Sequence, residues 1–261
     1  MTRSLSVPVC HPWAACLTVL AAALMLVACQ SRVPLSHGSD KTLTSPAASV
    51  LSSVAAAAKG PEAKDLGRQL LAAAGRGDAL AVRDLLILDA PVDAQDAKGN
   101  TPLLLATAGN HIEVARSLLL HGASPNIKNR QQDSAYLLAG AQGRLEIVRM
   151  TIAYGADLTS TNRYGGTALI PACERGHVAT AMALMTAGVD VNHVNRLGWT
   201  CLMEAVVLSK GGPPHQAIIK ALIEKGVDLN LPDNDGITAL AHARQRGQKV
   251  VVQLLQAAGA R

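Results

Sequence analysis

Cysteine and histidine are the side chains of this 261-residue sequence with the widest choice of chemistry. His111 and His177 recur at one position of an internal repeat, which favours packed or hydrogen-bonded turn histidines over catalytic ones. Four others share no spacing typical of a metal site: His121, His193, His215 and His242. The sequence has no glycine-rich phosphate loop, no His-Glu-x-x-His motif and no Gly-x-Ser-x-Gly motif. It therefore predicts no catalytic residue, no cofactor and no metal ion, and it indicates a protein that is not an enzyme.

One cysteine stands in a context that predicts covalent modification. From Trp13 to Ala28 the chain has sixteen residues without charge. That is short of the roughly twenty that a spanning helix needs and is typical of a signal peptide core, so residues 1–28 are predicted to be a signal peptide. The segment ends in Leu26-Val27-Ala28-Cys29, which resembles the bacterial lipobox. The resemblance implies cleavage before Cys29 and lipidation of that residue. An ordinary signal peptide with an incidental cysteine is the alternative.

The residues after Cys29 indicate a destination and a tether. Gln30 follows, not Asp, and by resemblance to proteobacterial lipoproteins this implies the outer membrane, with the protein facing the periplasm. Acyl chains contribute roughly 0.8 kcal/mol per buried methylene, so several chains give stable anchoring. Residues 29–64, rich in Ser, Ala and Pro, predict a flexible tether. Within them, residues 47–59 are also compatible with an Ala-rich helix.

An internal repeat supplies the elements that position the other residues. Six units begin around residues spaced by 33 positions, or by 38 across one five-residue insertion: Arg68, Thr101, Ser134, Thr167, Thr200 and Thr238. Five positions further on, every unit has alanine: Ala73, Ala106, Ala139, Ala172, Ala205 and Ala243. The predicted repeat domain is 65–261, with units of about 65–97, 98–130, 131–163, 164–196, 197–234 and 235–261.

Each unit predicts two short helices joined by a turn. Thr or Ser at the start of the unit is an N-cap residue, and Pro102 occupies a first helical position. A glycine near the end of each later unit, and Asp89 in the first, suits the left-handed backbone of a helix stop. The composition is 49% hydrophobic and 16% charged, which excludes a mainly disordered chain. Because aromatic residues make up only 2%, the core must be built from Leu, Val, Ile and Ala. This suits many thin layers better than one thick core, and stacking of units supplies such layers.

The repeat resembles the ankyrin repeat. Thr101-Pro102-Leu103 matches the Thr-Pro-Leu of that family, and Gly176-His177 and Gly155-Ala156-Asp157 match later parts of its motif. The histidine that the family has in its first helix is absent, and Leu104 stands there in unit two. The resemblance covers roughly three quarters of the chain. It implies an all-α fold, an ankyrin repeat solenoid of six helix-turn-helix units with short β-like finger turns, and it implies protein binding through those turns.

The finger turns carry the residues that we expect to contact a partner. Arginine recurs at one finger position in three units, each time after an asparagine, and stacking would place the three in a row about 10 Å apart. Arg, Tyr and Trp are the residue types enriched at binding hot spots. The predicted contact residues are Arg130, Arg163, Tyr164, Arg196 and Trp199. The alternative is that the arginines form a solvated face and that Trp199 packs on its own hairpin.

Together these features predict a non-catalytic protein–protein interaction module anchored to the bacterial envelope, scaffolding or supporting a periplasmic protein. An inhibitor of the immunity type, which neutralises a toxin or enzyme, is an alternative. Binding of a cell-wall glycan, which depends on location and on Trp199 alone, is another. The formal charge of +5 contains no run of five like charges, so no nucleic-acid partner is expected. The expected partners are an unidentified envelope protein and, through the lipid anchor, the membrane.

Two expectations concern units four and five. Cys173 and Cys201 lie five positions apart in the repeat frame of neighbouring units, which puts their α-carbons about 12 Å apart. A disulfide needs less than about 7 Å, so buried free thiols are predicted. The insertion around residues 209–215 lies between the two helices of unit five, where a binding loop and a tolerated spacer are equally plausible.

Overall fold

Helices make up almost all of the regular structure in the part of the chain that the computed structural model describes, residues 61–261. The predicted signal peptide, Cys29 and the candidate helix 47–59 lie outside the described residues. The helices are α1 (Pro61–Arg76), α2 (Ala79–Ile87), α3 (Pro102–Ala108), α4 (Ile112–Leu120), α5 (Ala135–Ala141), α6 (Leu145–Ala153), α7 (Leu169–Glu174), α8 (Val178–Ala187), α9 (Cys201–Val207), α10 (Pro213–Glu224), α11 (Ala239–Gln245) and α12 (Lys249–Ala257). Between residues 61 and 261, none of these helices combines the length and apolar character that crossing a membrane requires.

The first helix of a unit begins where the sequence places its cap. A hydroxyl oxygen accepts a hydrogen bond from the backbone N–H three residues later in four units, and the capping residues are Thr101, Ser134, Thr200 and Thr238. Unit four differs, because the hydroxyl of Thr167 is buried without a hydrogen-bond partner and Ala168 precedes the helix. The helix stops are confirmed: Asp89 and the five repeat glycines all have positive φ, including Gly188 at 96° after α8.

The core is a stack of thin layers. The first helices of successive units pack on one another in the order α1, α3, α5, α7, α9 and α11, and the second helices form a parallel row beside them. The constant alanines lie between the first helices and are all at most 1% exposed. Because a methyl group is all that separates the helices at these positions, neighbouring units approach closely, and Leu, Ile and Val of both helices fill each layer. The predicted all-α solenoid is confirmed.

The structure corrects the prediction for Cys173 and Cys201. The two residues form a disulfide, with α-carbons 5.6 Å apart, and are therefore not free thiols. The error lies in the assumed axial offset between neighbouring first helices. In the layer before, the same two repeat positions hold Gly140 and Ala168, and a Cβ added at Gly140 would lie 2.8 Å from the Cβ of Ala168. The first helices of neighbouring units therefore cross at these two positions. The sixth residue after the cap of one unit contacts the first residue after the cap of the next unit.

The insertion of unit five extends a helix and is bonded to its neighbours. Helix α10 has 12 residues, against 9 in α4 and α6. The Gln248 side-chain nitrogen donates to the carbonyls of Val206 and Ser209, at 2.9 and 3.0 Å. The ring nitrogen Nε2 of His215 lies 2.9 Å from the carbonyl oxygen of Glu174. The inserted residues thus connect units four, five and six, which favours a structural spacer over a loop that is free to bind.

Candidate protein-binding surface

An asparagine or aspartate at its base holds each finger turn in shape. The Asn162 side-chain oxygen accepts hydrogen bonds from the N–H groups of Tyr164 and Gly166, at 2.9 and 3.1 Å, and the Asn162 N–H donates to the Gly166 carbonyl. The same pattern surrounds Asn129 and Asn195. The asparagine before each arginine therefore fixes the turn, and with it the direction in which the arginine leaves the backbone.

Two pairs of neighbouring fingers are joined at their tips by backbone hydrogen bonds. The N–H of Arg130 donates to the carbonyl of Lys98 at 3.0 Å, and the N–H of Arg196 donates to the carbonyl of Tyr164 at 2.9 Å. The Arg196 guanidinium also donates to the Arg163 carbonyl, with Nη1 at 2.9 Å from the oxygen. Arg130, Arg163 and Arg196 are all exposed. These three residues, called the finger arginine row below, thus lie on consecutive turns, and the turns of Arg163 and Arg196 are bonded to each other.

Arg163 is held by two neighbours. Its guanidinium carbon lies 4.8 Å from the centroid of the Tyr164 ring, within cation–π distance. Its Nη1 lies 3.8 Å from a carboxylate oxygen of Asp133. Burial raises the pKa of Asp133 despite the opposing effect of the Arg163 charge. Tyr164 remains 55% exposed, so its ring offers an apolar surface beside the arginine.

Trp199 differs from the other four predicted contact residues. It is half-buried, and its side chain packs against the hydrophobic core. Its backbone N–H donates to the Asn195 side chain at 3.0 Å. The packing is the alternative that the sequence left open for this residue. Trp199 therefore holds the finger in place and presents only part of its indole to a partner.

A buried acid supports the same finger, and the sequence analysis did not single it out. Glu204 on α9 is 5% exposed, and its Oε1 accepts a hydrogen bond from the Asn195 side chain at 2.8 Å. Burial raises the pKa of Glu204 to about 7, the charge of Glu174 adds to this effect, and the bond from Asn195 opposes it. Three earlier units have apolar residues at this repeat position: Leu105, Leu138 and Pro171. An acid at that position was the available signal.

Unit six uses the same two repeat positions for a hydrogen bond between a histidine and an aspartate. The ring nitrogen Nε2 of His242 lies 2.7 Å from a carboxylate oxygen of Asp233. The hydrogen bond from His242 lowers the pKa of Asp233, and backbone N–H groups of the finger lower it further. The fifth and sixth units thus each support their finger by a polar side chain on the first helix.

A second set of arginines recurs along the second helices. Arg83, Arg116 and Arg149, called the outer arginine row below, lie on α2, α4 and α6. Each has a carboxylate on its own helix, at nitrogen–oxygen distances of 3.7, 3.6 and 3.1 Å. The pairs are Arg83–Asp84, Arg116–Glu113 and Arg149–Glu146. The positive charge of this row is therefore balanced locally.

The turn histidines bond to the backbone of the preceding unit. The ring nitrogen Nε2 of His111 lies 3.3 Å from the Gly75 carbonyl oxygen. Burial lowers the pKa of His177, the charge of Arg175 adds to the effect, and a hydrogen bond to the Ala141 backbone opposes it. The predicted role of His111 and His177 as hydrogen-bonding turn residues is confirmed. Among residues 61–261, no three His, Cys, Asp or Glu side chains are grouped so as to hold a metal ion.

Comparison with known proteins gives one consistent result. The model of the family described as ankyrin repeats (3 copies) matches residues 70–162 and 136–233. A crystal structure of an ankyrin repeat domain from Acinetobacter baumannii AYE is 52% identical, with a TM-score of 0.72, and the match covers 74% of this chain and 98% of that one. The ankyrin repeat protein EF0377 is 41% identical, with a TM-score of 0.71, over 73% and 97% of the two chains.

A curated relative matches over a shorter stretch. The ankyrin repeat protein YahD of Escherichia coli strain K12 is 48% identical over 58 residues. That stretch is 22% of this chain and 29% of the relative, so the chain spans less than a third of the length of this relative.

Proposed function

This chain belongs to the ankyrin repeat family, and from that premise we propose that it is a non-catalytic protein-binding module at the bacterial envelope, where it scaffolds or supports a periplasmic protein. Ankyrin repeats are generally protein–protein interaction modules. One observation carries the assignment of the surface: three exposed arginines stand on consecutive finger turns, and a backbone hydrogen bond joins the turns of Arg163 and Arg196. Arginine on a rigid support suits recognition, because little side-chain and loop freedom remains to be lost on binding.

Two features support the location at the envelope. The sequence has an uncharged leader that ends in Leu26-Val27-Ala28-Cys29, and acylation of Cys29 would anchor the mature chain. The Cys173–Cys201 disulfide is the kind of bond that persists in the periplasm and is rare in the cytosol. Both features are consistent with a module that is exported, lipid-anchored and held off the membrane by residues 29–64.

A crosslinked pull-down from cells tests the proposal. The tagged full-length chain is compared with a variant in which the finger arginine row is changed to alanine and with a matched variant in which the outer arginine row is changed to alanine. We expect an envelope protein that is captured by the wild type and the outer-row variant and lost with the finger-row variant. Helix content, measured by circular dichroism, should be the same in all three. Trp199 stays unchanged, because its packing against the core would confuse loss of binding with loss of stability.

The outcomes separate the proposals. Equal capture by the two arginine variants would remove the finger surface from consideration. If deletion of this protein raises the activity of the captured partner, the inhibitor takes the place of the scaffold; a fall in that activity supports the scaffold. Fractionation of the same cells tests the anchor, since Cys29→Ser should move the chain from the membrane fraction to the soluble fraction.

A further inference from the structure

The positive charge of the finger arginine row extends over four fingers and then stops. The finger before Arg130 carries Lys98, which is exposed and whose carbonyl accepts the Arg130 N–H. The acid bonded to the row is the half-buried Asp133, 3.8 Å from Arg163. The finger after Arg196 has Asp235 exposed at its tip, which reverses the sign of the charge. A partner that follows the row therefore meets four cations in succession and is repelled beyond the fourth if it is acidic.

The spacing of these cations selects a conformation for the partner. Stacked units place neighbouring fingers about 10 Å apart, so the four cations span about 30 Å. A polyproline II segment rises about 3.1 Å per residue with three residues per turn. Every third side chain then lies on one face at intervals of about 9 Å, close to the interval between the fingers.

Other backbone conformations fit the row less well. A β-strand alternates its side chains between two faces, so every third residue points to the opposite side. An α-helix with an acid at every seventh residue has a similar interval, but helices are recognised in apolar grooves. Within the described fingers, the tips of the arginine-bearing units offer Tyr164 and Leu197 as exposed large apolar side chains, at 55% and 53% exposure. Isolated apolar side chains on a ridge suit the proline rings of an extended segment better than the face of a helix.

Resting on the proposed function, we propose that Lys98 and the finger arginine row bind an extended acidic segment of the partner protein, about ten residues long, with a carboxylate at every third position. The Arg163 guanidinium is already stacked on Tyr164, and the Arg196 guanidinium is already bonded to the Arg163 carbonyl. Few side-chain torsion angles of these two arginines therefore remain to be fixed on binding. Arginine also pairs with carboxylates through two parallel hydrogen bonds, which adds geometric selectivity to the charge.

Two blocked peptides of identical composition test the register, with titration calorimetry on the full mature chain. The first, EPAEPAEPAEPA, has glutamate at every third position; the second, EPEPEPEAAPAA, has it at every second position. We expect the first to bind at least tenfold more tightly than the second and to weaken as salt is raised. Changing the finger arginine row to alanine should reduce its affinity at least tenfold. Changing the outer arginine row to alanine should leave the affinity within twofold.

Each contrary result has a defined meaning. Equal affinity for the two peptides would overturn the register, and unchanged affinity of the finger-row variant would overturn the site. Stronger binding of a twelve-residue oligothymidylate than of either peptide would overturn an acidic protein segment in favour of a general polyanion surface. If neither peptide binds while capture of the cellular partner is still lost in the finger-row variant, this inference fails and the proposed protein-binding function stands.

Discussion

The finger arginine row and the outer arginine row repeat along the molecule with the same 33-residue period, yet their surroundings differ. Each outer arginine lies on a helix with a carboxylate within 3.1 to 3.7 Å on the same helix. Each finger arginine lies on a turn that an asparagine holds in shape. Among residues 61–261, one acid pairs with the row, the half-buried Asp133 at 3.8 Å from Arg163. One row is balanced within its own helices, and the other faces solvent with excess positive charge.

The repeat period alone does not identify a binding surface. A repeat places like side chains in a row wherever they occur, on a helix as well as on a turn. What distinguishes the rows is the support beneath them. The finger of Arg196 rests on the buried Glu204–Asn195 hydrogen bond, whereas the outer pairs lie on exposed helix faces. The rows should therefore respond differently when their supports are removed.

Removal of the disulfide that joins α7 and α9 should have the greatest effect on stability. Changing Cys173 and Cys201 together to alanine should lower the free energy of unfolding by about 3–4 kcal/mol, because the disulfide closes a loop with a sequence separation of 28. Alanine is chosen because Gly140 and Ala168 occupy the equivalent contact between α5 and α7. Small residues therefore pack at this helix crossing without a disulfide. Guanidinium unfolding of the purified, oxidised protein, with and without reductant, measures the loss.

The reduced wild type and the double-alanine variant should have the same unfolding midpoint, which serves as the internal control. A thiol assay on the denatured, non-reduced protein should detect no reaction at Cys173 or Cys201. Two reactive thiols, together with no change in midpoint on reduction, would contradict the disulfide and restore the wider separation that repeat numbering suggests.

The next effect concerns Glu204, the buried acid that supports the finger turn of Arg196. The folded-state pKa of Glu204 is about 7, well above the ordinary 4.5, so between these values the folded chain holds a proton that the unfolded chain has released. The stabilising contribution of Glu204 is therefore complete below about pH 4.5 and is lost as the pH rises toward 7. We expect this loss to be on the order of 3 kcal/mol. Glu204→Gln should remove it, because the amide stays neutral and can still accept the Asn195 hydrogen bond.

Urea unfolding of wild type and Glu204→Gln at pH 5 and pH 8 measures the effect as a difference, which cancels the shared titration of other groups such as His177. The variant should be the more stable of the two at pH 8 and similar to wild type at pH 5. Glu174→Gln is the matched control, since removing that charge should make the pH dependence smaller without abolishing it. Parallel curves for wild type and Glu204→Gln would show that Glu204 ionises normally in the fold.

The sequence predicts the features that depend on residues within one unit. The caps at Thr101 and Ser134 and the left-handed stop at Gly188 follow from side chains acting on their own backbone, so local sequence is sufficient. The arginines of the fingers follow from the period for the same reason. Contacts between units depend on how neighbouring helices cross, which repeat numbering does not contain. For that reason the prediction of free thiols at Cys173 and Cys201 was wrong. The burial of Glu204 against the finger turn of Arg196 was missed for the same reason.

Removal of the exposed ion pairs of the outer arginine row should have the least effect on stability. Glu113→Gln and Glu146→Gln remove the acids beside Arg116 and Arg149, whose side chains are 51% and 60% exposed. Each change should alter the free energy of unfolding by less than about 0.5 kcal/mol, because exposed pairs are screened by water and salt. Urea unfolding at low salt and at 0.5 M salt checks this, and the small difference should vanish at the higher concentration. A loss above 1 kcal/mol that persists in salt would mean that the outer pairs support the fold, as the buried Glu204–Asn195 bond does. The two rows would then differ in their charge balance alone.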